Sequence, residues 1–304
     1  MKVVFVEQPG NLPAPPAEGR VAVVDVAFAG ADNFEKSTEP FLAGLGERLA
    51  IWIDHHEHPL GWARYQGDPR FVLVPNRQAH ACPELVTPEV VARAGQVDVV
   101  VAHADLDGLL SAVKFARGGH APWPEADEDA RAADSPGRGH QLSERAKLLS
   151  DALDNAQSDL RSGPREALRQ EIVAALILAP APLPAALTKR LRELADAQAA
   201  SLLPVAALAA GAREEQAGVL VARVEKQLPR PVKKALLSAL EERAAIGVVV
   251  EGKAVTAATY RADVDLALCD ELPAGRSDYR FAQATDGGRA IIQRLGALVR
   301  DAGR

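Results

Sequence analysis

The chain of 304 residues is poor in cysteine, in aromatic residues, in positive charge and in long apolar runs. Its two cysteines, Cys82 and Cys269, lie far apart and in no Cys-x-x-Cys pairing, which argues against a disulfide framework and against a cysteine zinc site. No stretch approaches the roughly 18 apolar residues of a membrane span, and the apolar part of MKVVFVEQPG is too short for a secretory signal. Lys and Arg total 35 against 41 Asp and Glu, a formal charge of −6. A long polyanion such as duplex nucleic acid is therefore repelled unless a local basic patch or bound cations intervene. The expectation is a soluble cytoplasmic protein that acts on small molecules, with no membrane and no long duplex as partners.

What is present is a globular composition, 48% hydrophobic and 25% charged, dominated by alanine, leucine and valine. In the first half, apolar runs at Val3–Val6, Val21–Val24, Leu49–Ile53, Phe71–Val74 and, Asp98 aside, Val97–Ala102 are continuous rather than alternating. Strands buried on both faces of a sheet read this way. Helix-like spacing over Phe41–Arg48, Cys82–Arg93 and Gly108–Arg117 lies between or after them, so the pattern is α/β with a mostly parallel, doubly wound sheet. Residues 118–139 read as a loop with a short helix near Ala126–Ala133. From Gln141 to about Arg243 the composition turns to Ala, Leu, Arg and Glu at helical spacing, broken by proline at 179–184, at Pro204 and at 228–231. Strand signals return in 246–260, with a hairpin turn at Glu251-Gly252-Lys253, and in 264–269. A helix over Gly288–Arg300 follows. The expected organisation is a catalytic α/β domain (1–140), a helical connecting region (141–244) and a smaller C-terminal α/β domain (245–304). The long apolar-faced helical segment also makes a homodimer an expectation.

Three expected strands end on acidic residues or histidines. Val21–Val24 runs into Asp25, Leu49–Ile53 runs into Asp54, His55 and His56, and Val97–Ala102 runs into His103, Asp105 and Asp107. In open α/β sheets the ligand crevice lies beyond the carboxyl ends of the strands, so clusters distant in sequence can share one site there. Carboxylates and imidazoles at such density repel one another or lose solvation unless a cation neutralises them. An Asp/His set without cysteine suits Mn²⁺, with Mg²⁺ or Co²⁺ as alternatives, and is large enough for two ions that share a carboxylate. Two such ions clamp a phosphoryl group and activate water, which is the chemistry of phosphoester or phosphoanhydride hydrolysis.

The same residues carry a family resemblance. WIDHHEHP holds the Asp-His-His signature of the DHH phosphoesterases, VVVAHADLDGLLSA resembles their His-x-Asp-x-Asp-Gly motif, and VAVVDV resembles the motif that ends a strand on a single Asp. In that family the His-x-Asp-x-Asp motif comes first. Here it comes last, as in a circular permutation of the catalytic domain. The resemblance implies that His103 and Asp105 hold one metal, that Asp107 and His55 hold the other, and that Asp25 bridges them. A further aspartate completes the second metal in the family; Asp134 is the candidate, with Asp127, Asp129 and Asp32 as alternatives. His56 would face the substrate phosphate, as donor or acid, and Asp54 would orient the imidazoles. TDGGRA (285–290) resembles only loosely the family's glycine-rich substrate motif, making Gly287, Gly288 and Arg289 candidates for substrate binding. The implied substrate is a small, nucleotide-derived phosphodiester: a short oligonucleotide, or a linear or cyclic dinucleotide. Pyrophosphate-type phosphoanhydrides, longer single strands cut from an end, and a metal- or nucleotide-binding regulatory module without turnover are the alternatives.

Overall fold

A computed structural model describes residues 1–30, 33–134, 141–261, 263–266, 281–284 and 288–302. Two compact units divide the chain near residue 195.

The first unit is built on five strands. β1 (Lys2–Val6) and β2 (Val21–Val24) are followed by α1 (Glu39–Leu45), β3 (Leu49–Asp54), α2 (Pro59–Tyr65), β4 (Phe71–Leu73), α3 (Pro88–Ala94), β5 (Val99–His103) and α4 (Leu106–Ala116). The strand order is β1-β5-β2-β3-β4, and every neighbouring pair is parallel. Continuous apolar runs form these strands because both faces of the sheet are covered. Val21, Val23, Trp52, Val99 and Val101 pack on one face with Phe28, Phe34, Phe41 and Leu45. Ala22, Val24, Ile51, Ile53, Val100 and Ala102 pack on the other with Leu109, Leu110 and Val113 of α4. The expected doubly wound sheet is thus the fold observed.

Four more helices follow: α5 (Ala126–Asp134), α6 (Glu144–Asp159), α7 (Ser162–Ile177) and α8 (Ala185–Ser201). Leu149, Leu153, Leu168, Ile172 and Leu191 carry α6, α7 and α8 into the same core as α4, so much of the helical region packs on the sheet rather than merely connecting two domains. Gln170 of α7 donates through Nε2 to the Val3 carbonyl at 2.9 Å, so α7 lies along the outer edge of β1.

The second unit contains α9 (Val205–Ala210), β6 (Arg213–Gln216), β7 (Val219–Val224), α10 (Arg230–Glu241), β8 (Ile246–Glu251), β9 (Ala254–Ala258), β10 (Phe281–Ala284) and α11 (Gly288–Ala302). Its sheet order is β10-β9-β8-β7-β6; β7 and β8 are parallel and the other pairs antiparallel. The turn between β8 and β9 is the expected hairpin: Glu251 pairs with Ala254, and Gly252 takes a φ of 61°, where a side chain would be strained.

Four sequence expectations are corrected. Residues 213–224, read as helical, form β6 and β7, because VLVARV buries Val219 to Ala222 in a sheet that the alanine-rich context hid. The helix expected over Cys82–Arg93 is split into a short 3-10 turn at Cys82–Leu85 and α3. Pro88 forces Thr87 into an extended conformation, and its hydroxyl caps the new helix by accepting from the Val90 N–H at 3.3 Å. A helix missed in the sequence, α2, begins at Pro59. His58 is its cap, accepting through Nδ1 from the Gly61 N–H at 3.0 Å and stacking on Phe34. Residues 264–266 form no strand, though Val264 and Leu266 are buried; 267–269, including Cys269, lie outside the described residues.

Candidate metal centre

β5, β2 and β3 are adjacent and in register, with Val24 opposite both Ala102 and Ile53. The residues that follow them therefore emerge at one height from one edge of the sheet. The path from β2 runs to α1, which packs with Trp52 on one face of the sheet. From β5 the chain enters α4, which packs on the opposite face. Divergence of neighbouring connections marks the ligand position of open α/β sheets at the carboxyl ends, and the polar clusters stand there.

Asp25 sits at the centre. Its N–H donates to the Ile53 carbonyl at 2.9 Å, extending the ladder by one residue, and its φ of 57° is the sole positive value among the described non-glycine residues. Aspartate tolerates that region better than most side chains, though at a cost met repeatedly at functional sites. Oδ1 of Asp25 lies 3.3 Å from His55 Nε2, and Oδ2 lies 3.8 Å from His103 Nδ1. His55 Nε2 also faces Asp107 Oδ2 at 3.5 Å and Asp134 Oδ2 at 3.8 Å, while its Nδ1 meets the Ala79 carbonyl at 2.9 Å. The carbonyl requires a proton on Nδ1, which leaves Nε2 as the free ligand atom in the neutral ring.

The HADLDG segment turns from β5 straight into α4. Asp105 caps α4, accepting through Oδ1 from the Gly108 N–H at 3.1 Å, and turns Oδ2 to His103 Nδ1 at 2.8 Å. Asp107, in the first turn, is buried and accepts from the Cys82 N–H at 3.2 Å. Gly108 is dictated by close approach, since a Cβ there would stand 2.3 Å from the His103 carbonyl oxygen. Asp134 comes from the end of α5, which is pinned to α4 by Lys114 with Asp127 at 2.6 Å and to the Cys82–Leu85 turn by Arg131 with Glu84 at 3.0 Å. Asp129 is spent on the Trp123 Nε1–H and the Ser143 hydroxyl. Of the four aspartates considered for this place, Asp134 is the one brought to His55 and Asp107; Asp127 and Asp129 are engaged elsewhere, and Asp32 lies outside the described residues.

His56 meets the buried Asp54 through Nδ1 to Oδ1 at 2.8 Å and lies 4.0 Å from Asp25 Oδ1, with its side chain 34% exposed at the rim of the cluster. Its backbone carbonyl accepts from Trp62 Nε1 at 3.1 Å. Glu57 is exposed, outside the cluster. Gly288 and Arg289 open α11 in the second unit, where the Glu215 carboxyl is lowered first by its hydrogen bond from Arg223 and less by Arg289; Gly287 lies outside the described residues.

Charge in this cluster is out of balance. Burial pushes the Asp25 carboxyl up to about 6, against the pull of His55, and pushes Asp107 well above the usual carboxylate range with help from Asp25 and Asp134. Burial alone would lower the histidines. The neighbouring carboxylates overcome it, holding His55 up to about 10, His56 up to about 9 through Asp54, and His103 up to about 9 through Asp105. Asp25 Oδ1, Asp107 Oδ1 and His55 Nε2 are buried without a hydrogen-bond partner, and all three belong to this one cluster. Buried polar atoms are rarely left so, and convergent ones fit a cation.

Three groups have donor atoms all within 4.8 Å of one another: Asp25, His103 and Asp105; His55, Asp107 and Asp134; and Asp25, His55 and His56. The donors are oxygen and imidazole nitrogen. The nearby Cys82 thiol is held protonated by burial and by Asp25 and Asp107, so it is a poor ligand there. The set fits divalent ions of intermediate or hard character.

Sequence reasoning missed the Ala79 carbonyl, the Cys82 N–H and Trp62. The first two are backbone groups, which leave no mark in a residue pattern. Trp62 was visible as an aromatic shortly after the histidines.

No protein-family profile matches the chain, and no curated protein matches it. Among solved structures it is similar to the exonuclease RecJ bound to manganese, with a TM-score of 0.43, 17% identity, and coverage of 93% of this chain and 75% of that one. It is also similar to the pGpG-specific phosphodiesterase PggH of Vibrio cholerae, with a TM-score of 0.42, 10% identity, and coverage of 93% of this chain and 99% of that one.

Proposed function

We propose that the protein is a metal-dependent phosphoesterase of the DHH type, with its motifs in circularly permuted order, that hydrolyses small nucleotide-derived phosphodiesters. The observation that carries this reading is the pair of donor groups, Asp25/His103/Asp105 and His55/Asp107/Asp134, brought together by adjacent strands with Asp25 between His55 and His103. His103 and Asp105 are assigned to one ion, His55, Asp107 and Asp134 to the other, and Asp25 to both. Two divalent ions held by these residues, Mn²⁺ by preference, would activate water at neutral pH and would supply positive charge for the phosphoryl oxygens.

The rest falls to the chain itself. Asp54 accepts a proton-bearing Nδ1 of His56, which fixes that ring and leaves Nε2 free to donate to a phosphate oxygen. With its ring held up to about 9, His56 is a cation at neutral pH and can release a proton to the departing oxygen. Asp25, Asp107 and the Ala79 carbonyl hold their partners from buried positions, so little reorganisation is needed when substrate binds.

Turnover of bis-p-nitrophenyl phosphate, linear and cyclic dinucleotides, short oligonucleotides and pyrophosphate, each with Mn²⁺, Mg²⁺ or Co²⁺, tests the reading. Dinucleotides and short oligonucleotides should be cleaved fastest, and EDTA should abolish the reaction. Absence of phosphodiester hydrolysis with every ion would refute it.

Metal binding should depend on pH in a stated direction. His55 and His103 are held up to about 10 and about 9 without a cation, so each must lose a proton to become a ligand. Affinity should therefore rise as pH rises, by roughly tenfold per pH unit for each proton displaced, between about pH 6 and 8. Calorimetric titration in buffers of different ionisation enthalpy reads both the affinity and the protons released. A flat profile with no proton release would contradict the charge state given for these rings.

A further inference from the structure

The chain has three tryptophans, and they differ in access. Trp52 is fully enclosed and Trp123 is 8% exposed, whereas Trp62 is half-buried. Trp62 lies on α2, directly after the Asp-His-His turn, and leans on the Phe28/Phe34/Phe41 cluster. Its indole N–H is already spent on the His56 carbonyl at 3.1 Å. The ring is thus tied to the backbone of His56, and its open part needs no polar partner.

A half-buried ring fixed to the backbone of His56 offers nothing to inorganic phosphate or pyrophosphate, whose recognition needs donors and cations. It suits a ligand that joins a phosphate to a flat apolar ring. We propose that Trp62 is the stacking surface for a base of the substrate, in a nucleotide whose phosphate lies at His56. This rests on the phosphoesterase reading and narrows it, favouring nucleotides over phosphoanhydrides. Tryptophan is well matched to the task, because a base of any identity presents a π-face and stacking tolerates sequence. Trp62 also stays in place without substrate: the His56 carbonyl holds its N–H, and the His58 cap with its Phe34 stack fixes the start of α2.

The first arm of the test needs no turnover. With Mg²⁺ present and excitation at 295 nm, adenosine 5′-monophosphate should quench part of the tryptophan emission, and ribose 5-phosphate should not. Trp62→Leu should remove that quench, since the two remaining indoles are buried. In the second arm, kcat/KM is measured for a dinucleotide and for its abasic counterpart. Their ratio should fall about tenfold in Trp62→Leu, the order expected for one base on an aromatic ring, and by less than about threefold in Trp62→Phe. An unchanged ratio in Trp62→Leu, or a quench that survives in it, overturns the proposal even if overall rates fall, because a purely positioning role for the His56 turn lowers both substrates together. A wild type that hydrolyses neither substrate overturns the phosphoesterase reading instead, and the monophosphate titration then decides the stacking proposal by itself.

Discussion

Asp107→Asn should reduce Mn²⁺-dependent hydrolysis by at least about a thousandfold while leaving the metal-free protein as stable as wild type or more so. The loss follows from removing a buried anionic donor of one proposed ion, since a bound cation contributes several kcal/mol to transition-state charge stabilisation and each ~1.4 kcal/mol is tenfold in rate. The stability follows from electrostatics. Asp107 is 2% exposed and stands among Asp25, Asp134 and Asp105, and both burial and those charges raise its carboxyl. An acid whose folded pKa is raised costs stability once pH passes from its unfolded toward its folded value, because the folded state then resists ionisation. Asparagine removes that cost, and its carbonyl oxygen can still accept from the Cys82 N–H. Melting with and without Mn²⁺ separates the effects. Wild type should gain about 2.7 kcal/mol at a hundredfold excess over Kd, and the variant should lose most of that gain. A variant that melts well below wild type without metal would show that Asp107 serves the fold.

Gly108→Ala should be strongly destabilising and should weaken the site with it. A Cβ at this position meets the His103 oxygen at 2.3 Å and the His103 carbonyl carbon and nitrogen at 2.8 Å, all of them backbone atoms that cannot swing aside. Relief requires α4 to draw back from the end of β5, at a cost of about 3 kcal/mol, the upper end of what overpacking usually incurs. Melting should fall by roughly 6–12 °C for a unit of this size. The same retreat displaces Asp105 and Asp107 from His103 and His55, so metal response should weaken together with stability. Gly67→Ala is the control: nothing lies within 4 Å of its Cβ, and it should change melting little. Equal effects of the two substitutions would exclude close approach as the reason for Gly108.

How far the sequence discloses this arrangement depends on the range of the interactions involved. Val21–Val24, Leu49–Ile53 and Val99–Ala102 declare themselves because a parallel strand covered on both faces must be apolar at every position, so the polar residues after each run stand out. Parallel register then brings Asp25, His55 and His103 to one edge of the sheet. Asp134 is different. Nothing local separates it from Asp127 or Asp129, and the choice is made by how α5 docks on α4 through Lys114–Asp127 and on the Cys82–Leu85 turn through Arg131–Glu84, contacts that no periodicity encodes. The strands at 213–224 were hidden for a related reason: the helix-favouring alanine-rich stretches on either side masked them, and one of the two partners of β7, β8, lies beyond α10 in sequence. Thr87-Pro88 was legible in principle, since a residue before proline avoids the helical region, yet the hydrophobic spacing across it reads as one helix.

The helix that runs beside β1 bears on assembly. A parallel sheet ends in two rows of backbone groups able to recruit a strand from another molecule. On the β1 side, Gln170 occupies the Val3 carbonyl, Arg169 lies over the Phe5 ring and Arg165 pairs with Glu7, so α7 stands against that margin. On the other side β4 is only three residues long, too short to template an intruder well. Self-association of this unit by strand exchange is thereby discouraged at both margins. Contacts between two copies of this unit are left to side chains, and the edge that carries the Asp/His cluster stays free of borrowed backbone.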